Sequence, residues 1–346
     1  MRDMSHMPKG HPELPPGRVG VLIGNLGTPE GTDYWSMRRY LAEFLSDKRV
    51  IDYPAWKWQP ILQGPILTIR PFKSGANYAK IWNRERNEGP LMTTTREQAD
   101  GLRARLEARF GDRVIVDFAM RYGKPSTDAK LAEMVKAGCD RILFFPLYPQ
   151  FSGPTTATMN DQFFRALTKV TFQPAVRTVP AYYDRPGYIE ALAQSVERVY
   201  PSSDVAPDIL VCSYHGVPER YVTQGDPYYC QCLKTTRLLR NRLGWAEDRI
   251  VSSFQSRFGP EEWVKPYTVE EVARLAEAGN KSIAVMAPAF SSDCLETLEE
   301  INEEIRESFM DAGGESFTYI PCLNADAAHI DMMEEVVCTN LGGWLD

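Results

Sequence analysis

Asp208-Ile-Leu-Val-Cys-Ser-Tyr-His215-Gly216 is an apolar run that ends on an imidazole and a glycine. Its length and the closing Gly216 and Pro218 predict a strand buried on both faces, the pattern of a parallel sheet. In such sheets ligands sit outside the carboxyl ends of the strands, which is where this reading puts His215. An imidazole there accepts a proton or binds a metal near neutral pH. Of the four histidines, His6 and His11 fall in a Met/Pro/Gly-rich leader and His329 in a helical pattern, so His215 alone is placed for chemistry.

Working outward, similar short runs recur at 18–26, 114–122, 141–148 and 175–180, and again at 250–255, 282–288 and 317–321. Amphipathic helical patterns separate them, at 33–45, 93–110, 127–137, 186–200, 229–243, 268–278, 293–310 and 325–341. This alternation predicts an α/β protein made of two Rossmann-like, doubly wound domains. Each has a four-stranded parallel sheet flanked by helices, with a cleft between the carboxyl edges of the two sheets.

Residues 1–17 read as a disordered tail. The first domain is expected over 18–183 and the second over 184–324. A C-terminal helical segment, 325–346, either packs on the second domain or crosses back to the first. The uncharged run 142–160 is about as long as a membrane span. Pro146, Pro149, Gly153 and Pro154 interrupt it, so it reads as a buried strand followed by a loop.

The net charge of −7 argues against nucleic-acid binding, which needs a basic face. Seven irregularly spaced cysteines fit free thiols in a reducing compartment, and no signal-peptide core opens the chain, so a cytoplasmic location is expected. Residues 51–73 break the alternation. There Trp56, Trp58, Ile61, Leu62, Ile66 and Leu67 interleave with prolines and are followed by Arg70 and Lys73. The segment reads as a lid on its own domain or as an apolar lip for a greasy ligand or peripheral membrane contact.

Glu296, Glu300 and Glu304 recur at i, i+4, i+8, which aligns three carboxylates on one helical face. An exposed acidic face explains that spacing, but the stripe starts just after an apolar strand, at the sheet edge that also holds His215. There it would pass protons or hydrated cations. Leu295, Leu298, Ile301 and Ile305 are expected to form the core face of the same helix. Cys230 and Cys232 form a C-x-C pair without a second ligand pair, which reads as free thiols. Gly24-Asn-Leu-Gly27 lacks the third glycine of a nucleotide loop, and no serine-nucleophile elbow occurs.

Ser213-Tyr-His215-Gly-Val-Pro218-Glu-Arg220-Tyr221-Val-Thr-Gln-Gly225-Asp226-Pro227-Tyr228 resembles the signature of the ferrochelatase family. The similarity continues through Phe254-Gln-Ser-Arg-Phe-Gly-Pro-Glu-Glu-Trp263, Pro288-Ala-Phe-Ser-Ser-Asp293-Cys-Leu-Glu296, Asn25-Leu-Gly-Thr-Pro-Glu30, Arg121-Tyr122 and Leu147-Tyr-Pro-Gln150. These motifs run in order over about 18–310.

The resemblance implies insertion of Fe2+ into protoporphyrin IX to form protohaem, without ATP or a required cofactor, the iron being a substrate. It implies that His215 faces the pyrrole nitrogens and that Glu296 is its acidic partner, both meeting the metal transiently. Glu300 and Glu304 are then a carboxylate relay. By the same resemblance Leu26, Arg70, Tyr78, Arg121, Tyr122, Tyr148 and Trp263 line the porphyrin pocket or hold its propionates.

Two positions depart from relatives. Cys294 stands where many carry histidine, and Gly153 stands where animal enzymes have a cysteine of their 2Fe-2S cluster, which argues against such a cluster here. The rival readings are a chelatase for coproporphyrin or for another tetrapyrrole with cobalt or nickel, and a non-catalytic haem or metal carrier. The apolar lip speaks against coproporphyrin, the single well-placed histidine against a cobalt or nickel chelatase, and the acid stripe against a carrier.

Overall fold

The computed structural model describes residues 8–10, 17–201 and 206–345. His6, His11 and nearly all of the segment expected as a tail lie outside the described residues.

The first half begins with β1 (Arg18–Gly27), α1 (Tyr34–Leu45), α2 (Ala55–Ile61), α3 (Leu67–Ile81) and α4 (Pro90–Phe110). It continues through β2 (Val114–Tyr122), α5 (Thr127–Lys136), β3 (Cys139–Pro146), α6 (Thr158–Leu167) and β4 (Ala175–Thr178). After α7 (Pro186–Val199) the second half carries β5 (Ile209–His215), α8 (Glu219–Thr223), α9 (Tyr228–Leu243), β6 (Ile250–Gln255), α10 (Thr268–Glu277) and β7 (Ser282–Met286). A π-helix (Glu296–Ile305), α11 (Arg306–Asp311), β8 (Ser316–Tyr319) and α12 (Ala327–Leu341) complete it.

The strands form two four-stranded parallel sheets, ordered β2-β1-β3-β4 and β6-β5-β7-β8. This is the doubly wound α/β architecture that the alternation predicts. In both sheets the winding reverses beside the first strand, between β1 and β3 and between β5 and β7. A crevice opens at such a reversal because the two connections leave on opposite faces. The sequence therefore delivers Leu26, Tyr148, His215 and the segment after β7 to switch points.

The strands are buried on both faces, as continuous apolar runs require. Gly24 lets α6 close on β1, since a Cβ there would stand 2.2 Å from Met159 Cε. Gly27 turns the chain off β1 at φ +113°, with a virtual Cβ only 2.0 Å from the Tyr122 carbonyl oxygen, so a side chain is excluded. α12 packs against the first half: Ile330 packs over Gly101 of α4, and Arg105 pairs with Asp331 at 2.7 Å. Arg177 on β4 donates to the carbonyls of Asn340 and Gly342 at 2.6 and 3.0 Å, tying down the end of that helix.

Three stretches differ from expectation. The segment 142–160 does not end as a loop. A π-turn at Gly153–Ala157 leads into α6, where Met159, Phe163, Ala166 and Leu167 recur at helical spacing and bury against Leu22 and Phe144. Phe163 stacks on Phe144 at 4.4 Å.

The proline-rich segment 51–73 is mostly helical, with Pro60, Pro65 and Pro71 inside helical stretches. Pro71 cannot donate to the Leu67 carbonyl four residues back. Tyr34 Oη–H at 3.0 Å and an Arg38 guanidinium N–H at 2.6 Å donate to that oxygen instead, so the helix continues. The lip is accordingly different from the one expected. Leu62 and Leu67 are buried, Ile66 is half-buried, and Trp58 is half-buried with its indole N–H on the Leu45 carbonyl. Trp56 and Ile61 are exposed, and Trp35, Ile69 and Phe72 join them.

The third is the acidic helix, expected as one α-helix over 293–310. It is π-wound from Glu296 to Ile305, a length well beyond the single-turn bulges in which this winding mostly occurs. Its buried residues are Thr297, Glu299, Ile301 and Ile305. Leu295 and Leu298 of the expected core face are only half-buried, and Leu295 turns toward α3 and the cleft.

Candidate active site

A cleft of about 1060 Å³ opens where the carboxyl ends of the two sheets meet. That is at the upper end of ordinary ligand cavities, room enough for a large flat ligand. Its walls include Leu26, Arg70, Tyr78, Tyr148, His215, Trp263, Glu296, Glu300 and Glu304, so most of the predicted site residues converge there.

His215 ends β5, and its ring is held by its own backbone. Nδ1–H donates to the Gly216 carbonyl at 2.7 Å, which leaves the Nε2 lone pair of the neutral ring free. The tautomer follows because a carbonyl oxygen can only accept. Glycine at 216 allows a close approach here: a Cβ would crowd the Gln255 carbonyl and the Trp263 ring, each at 3.0 Å, so either would have to give way. Trp263 flanks His215 with ring centroids 6.4 Å apart and is itself braced edge-on by Phe258.

Opposite stands the π-helix. Glu300 accepts from the Ser256 amide at 2.7 Å, from Ser256 Oγ–H at 2.5 Å and from Gln255 Nε2–H at 3.3 Å. Gln255 ends β6, and Ser256 follows in the left-handed region at φ +65°, which turns its amide and hydroxyl together toward the helix. Burial pushes the Glu300 carboxyl above its ordinary value, while the Ser256 hydrogen bonds and the nearby His215 oppose that rise. Glu296 and Glu300 are half-buried and Glu304 is exposed, so the stripe leads from the cleft interior to solvent.

On the first-half wall, burial raises the phenols of Tyr78 and Tyr148, keeping them protonated. Tyr148, Trp263, Gln150 and Thr28 line the cleft, and their Oη, Nε1, Oε1 and Oγ1 atoms are buried without a protein hydrogen-bond partner among the described residues. Such atoms call for a ligand or water. Arg70 has no ion-pair partner among the described residues; cleft desolvation lowers its pKa, and the Glu296 charge acts against that. With Lys57 and Lys73 it supplies positive charge to the cleft.

Arg121 and Tyr122 are corrections to the expected pocket. Both are buried and neither lines the cleft. Arg121 pairs with Asp47 and donates to Thr158 Oγ1 at 2.7 Å, while Tyr122 Oη–H donates to Asp47 at 2.9 Å. Asp47 comes from the turn after α1, and only the folded chain brings it to the end of β2. Their role is to brace the wall. Asp47→Asn should destabilise the fold by about 3 kcal/mol, because it leaves a buried guanidinium without its counter-charge. Urea unfolding measures this, and a loss below about 1 kcal/mol would contradict the bracing role.

Ser256, Gln255 and Phe258 lay within a quoted family motif, but nothing in the sequence assigned them roles. Cys294 lines the cleft buried, its thiol pushed up by burial. Cys230 is exposed and Cys232 buried. Among the described residues no group of three or more His, Cys, Asp and Glu side chains is arranged to hold a metal ion. His215 and the glutamates share the cleft.

Two parallel sheets with reversed winding, meeting at a cleft lined by an imidazole and a carboxylate stripe, define a two-domain, Rossmann-like fold of the kind seen in chelatases. Solved structures of the fold agree. SirB from Bacillus subtilis with Fe3+ superposes with a TM-score of 0.54 at 10% identity, covering 95% of this chain and 99% of that one. The sirohydrochlorin chelatase SirB from Bacillus subtilis subspecies spizizenii in complex with cobalt gives 0.52 at 12% identity, covering 95% and 99%. The ferrochelatase family model matches residues 18–341. A ferrochelatase of Rhodobacter capsulatus is 65% identical over 100% of this chain and 99% of its own length. One from Chelativorans sp. (strain BNC1) is 55% identical over 99% and 96%. The chain belongs to the ferrochelatase family.

Proposed function

We propose that the cleft inserts Fe2+ into protoporphyrin IX to give protohaem. The observation that carries this reading is the pairing, in one cleft, of a free Nε2 lone pair on His215 with a carboxylate stripe that runs from half-buried Glu296 and Glu300 to exposed Glu304. The reaction releases two pyrrole protons for each metal ion and changes no oxidation state. Nε2 can take a pyrrole proton or meet the incoming metal. Glu296 and Glu300 accept charge next, and Glu304 hands it to water. Trp263, Leu26 and the tyrosines give the macrocycle flat apolar walls, and Arg70, Lys57 and Lys73 oppose its propionates. A cleft that holds the ring bent exposes the nitrogen lone pairs, favouring the transition state over the flat substrate.

Anaerobic incubation of the purified protein with protoporphyrin and Fe2+ or Zn2+, followed by absorbance, tests this. A metalloporphyrin band growing no faster than the protein-free background would overturn it.

The exposed rim beside the cleft favours a second reading, peripheral contact with a membrane from the cytoplasmic side. Trp56 is 75% exposed, Ile69 and Phe72 each 68%, and Lys57 and Lys73 stand among them. Aromatic and aliphatic side chains mixed with lysines suit the lipid interface, where a greasy porphyrin would be handed over. No helix of the described residues is long and apolar enough to cross a membrane. The paired variant Ile69→Glu/Phe72→Glu should co-sediment with anionic vesicles at least about tenfold more weakly, since it removes apolar contact and adds like charge. Equal binding by both proteins would refute the contact.

A further inference from the structure

The face of the π-helix that meets α3, at the edge of the cleft, carries a second polar arrangement. Asn77 Nδ2–H of α3 donates to Glu299 Oε1 at 2.8 Å, and Lys80 Nζ lies 2.6 Å from Glu303 and 3.5 Å from Glu299. Both contacts join the first half to the second, across more than 200 residues of sequence. Glu299 is only 8% exposed, so this carboxylate has been withdrawn from water. Burying it is costly unless its partners are fixed.

The register of these contacts matters more than their strength. Leu295, Glu299 and Glu303 all turn toward α3, Leu295 through the apolar cluster that includes Tyr78. Each is followed by one of the cleft acids, Glu296, Glu300 and Glu304. Holding the first set therefore fixes the rotation that presents the second. Ten residues of π winding are unusual in an isolated helix, so the rotation needs an outside hold. On α3, Tyr78 lies between the two gripping residues and lines the cleft, so the same hold sets the wall opposite.

We propose that Asn77 and Lys80 are positioning residues for metal insertion: by gripping Glu299 and Glu303 across the two halves, they set the helix rotation that turns Glu296 and Glu300 into the cleft. The inference rests on the metallation reading. Asn77, Lys80 and Glu303 lie outside the cleft lining, so their part is to hold the helix rather than to touch porphyrin or metal.

Asn77→Asp puts two carboxylates face to face where an amide now meets one. Adding Glu299→Gln rebuilds an amide–carboxylate pair in reversed order. With Zn2+ and protoporphyrin, the single variant should lose between about tenfold and a hundredfold in kcat while KM for porphyrin moves less than about twofold. The double variant should return to within about threefold of the unaltered protein. In amide hydrogen exchange, Asn77→Asp should speed exchange across 296–305 and leave β1 and β5 unchanged. Unchanged kcat in the single variant, parallel losses in kcat and KM, no recovery in the double variant, or unaltered exchange across 296–305 would each overturn the proposal. If the unaltered protein does not metallate porphyrin, the metallation reading falls, and the exchange arm alone decides whether the grip holds the helix.

Discussion

His215→Ala is expected to lower kcat for metal insertion by about 10²–10⁴-fold, the range for removing a positioned proton-transfer group. The fold should survive, because the ring packs at a cleft wall and donates only to the carbonyl of the next residue. The far-ultraviolet circular dichroism and the midpoint of urea unfolding should thus stay near those of the unaltered protein. Porphyrin binding should weaken far less than kcat, since Trp263, Leu26, Tyr78 and Tyr148 keep the walls intact. Fluorescence titration with protoporphyrin separates the two quantities. An alanine variant that retains kcat within about threefold would remove His215 from the chemistry.

Glu300→Gln should lower kcat by about 10²-fold or more, again beyond any loss in porphyrin affinity. The amide keeps the volume and can still accept from Ser256, but it cannot take a proton. Burial raises the Glu300 carboxyl above the ordinary glutamate value of 4.5. The acid limb of the kcat profile should accordingly lie above that value in the unaltered protein and vanish in Glu300→Gln. Ser256→Ala removes a hydrogen bond that favours the ionised form, so it should move the limb further toward neutral pH.

Stability follows the same sign. A carboxyl whose folded pKa is raised binds protons more readily in the folded state, so its stabilising contribution is full below 4.5 and is lost as pH rises through the folded pKa. The stability of Glu300→Gln relative to the unaltered protein should therefore increase with pH across that window. A pH-independent difference in unfolding free energy would show that Glu300 is not the titrating group.

Much of this was legible in the chain because its alternation is regular. Buried parallel strands read as continuous apolar runs, and His215 closes one of them, so its place at a sheet edge followed directly. The acid stripe was legible too, although its winding was not: α and π helices both bring residues four apart near one face. Only the partners on α3 show which way the helix is turned.

Arg121 and Tyr122 misled for a related reason. The family resemblance put both at the pocket, and only the fold shows that Asp47, 74 residues away, claims the guanidinium. In 51–73 the prolines read as breakers, while Tyr34 and Arg38 supply the donors that let the helix run on. α6 was hidden because Pro149, Gly153 and Pro154 read as breakers, while its first turn, Thr158-Met-Asn160, continues the uncharged run of β3 and its first charges come only at Asp161 and Arg165.

The hydrogen bond from Nδ1 of His215 to its neighbour's carbonyl has one more consequence. With one ring nitrogen committed to the backbone, the imidazole has a single berth, at Nε2. A proton and a metal ion compete for that berth and cannot hold it together. A ring that has just taken a pyrrole proton therefore repels a second cation until the proton leaves along the carboxylates. Excess metal should then inhibit by occupying the seat a proton needs, and more strongly as the solution becomes less acidic. The carbonyl of Gly216, by claiming one ring nitrogen, thus imposes a one-at-a-time rule on the traffic of positive charge through the cleft.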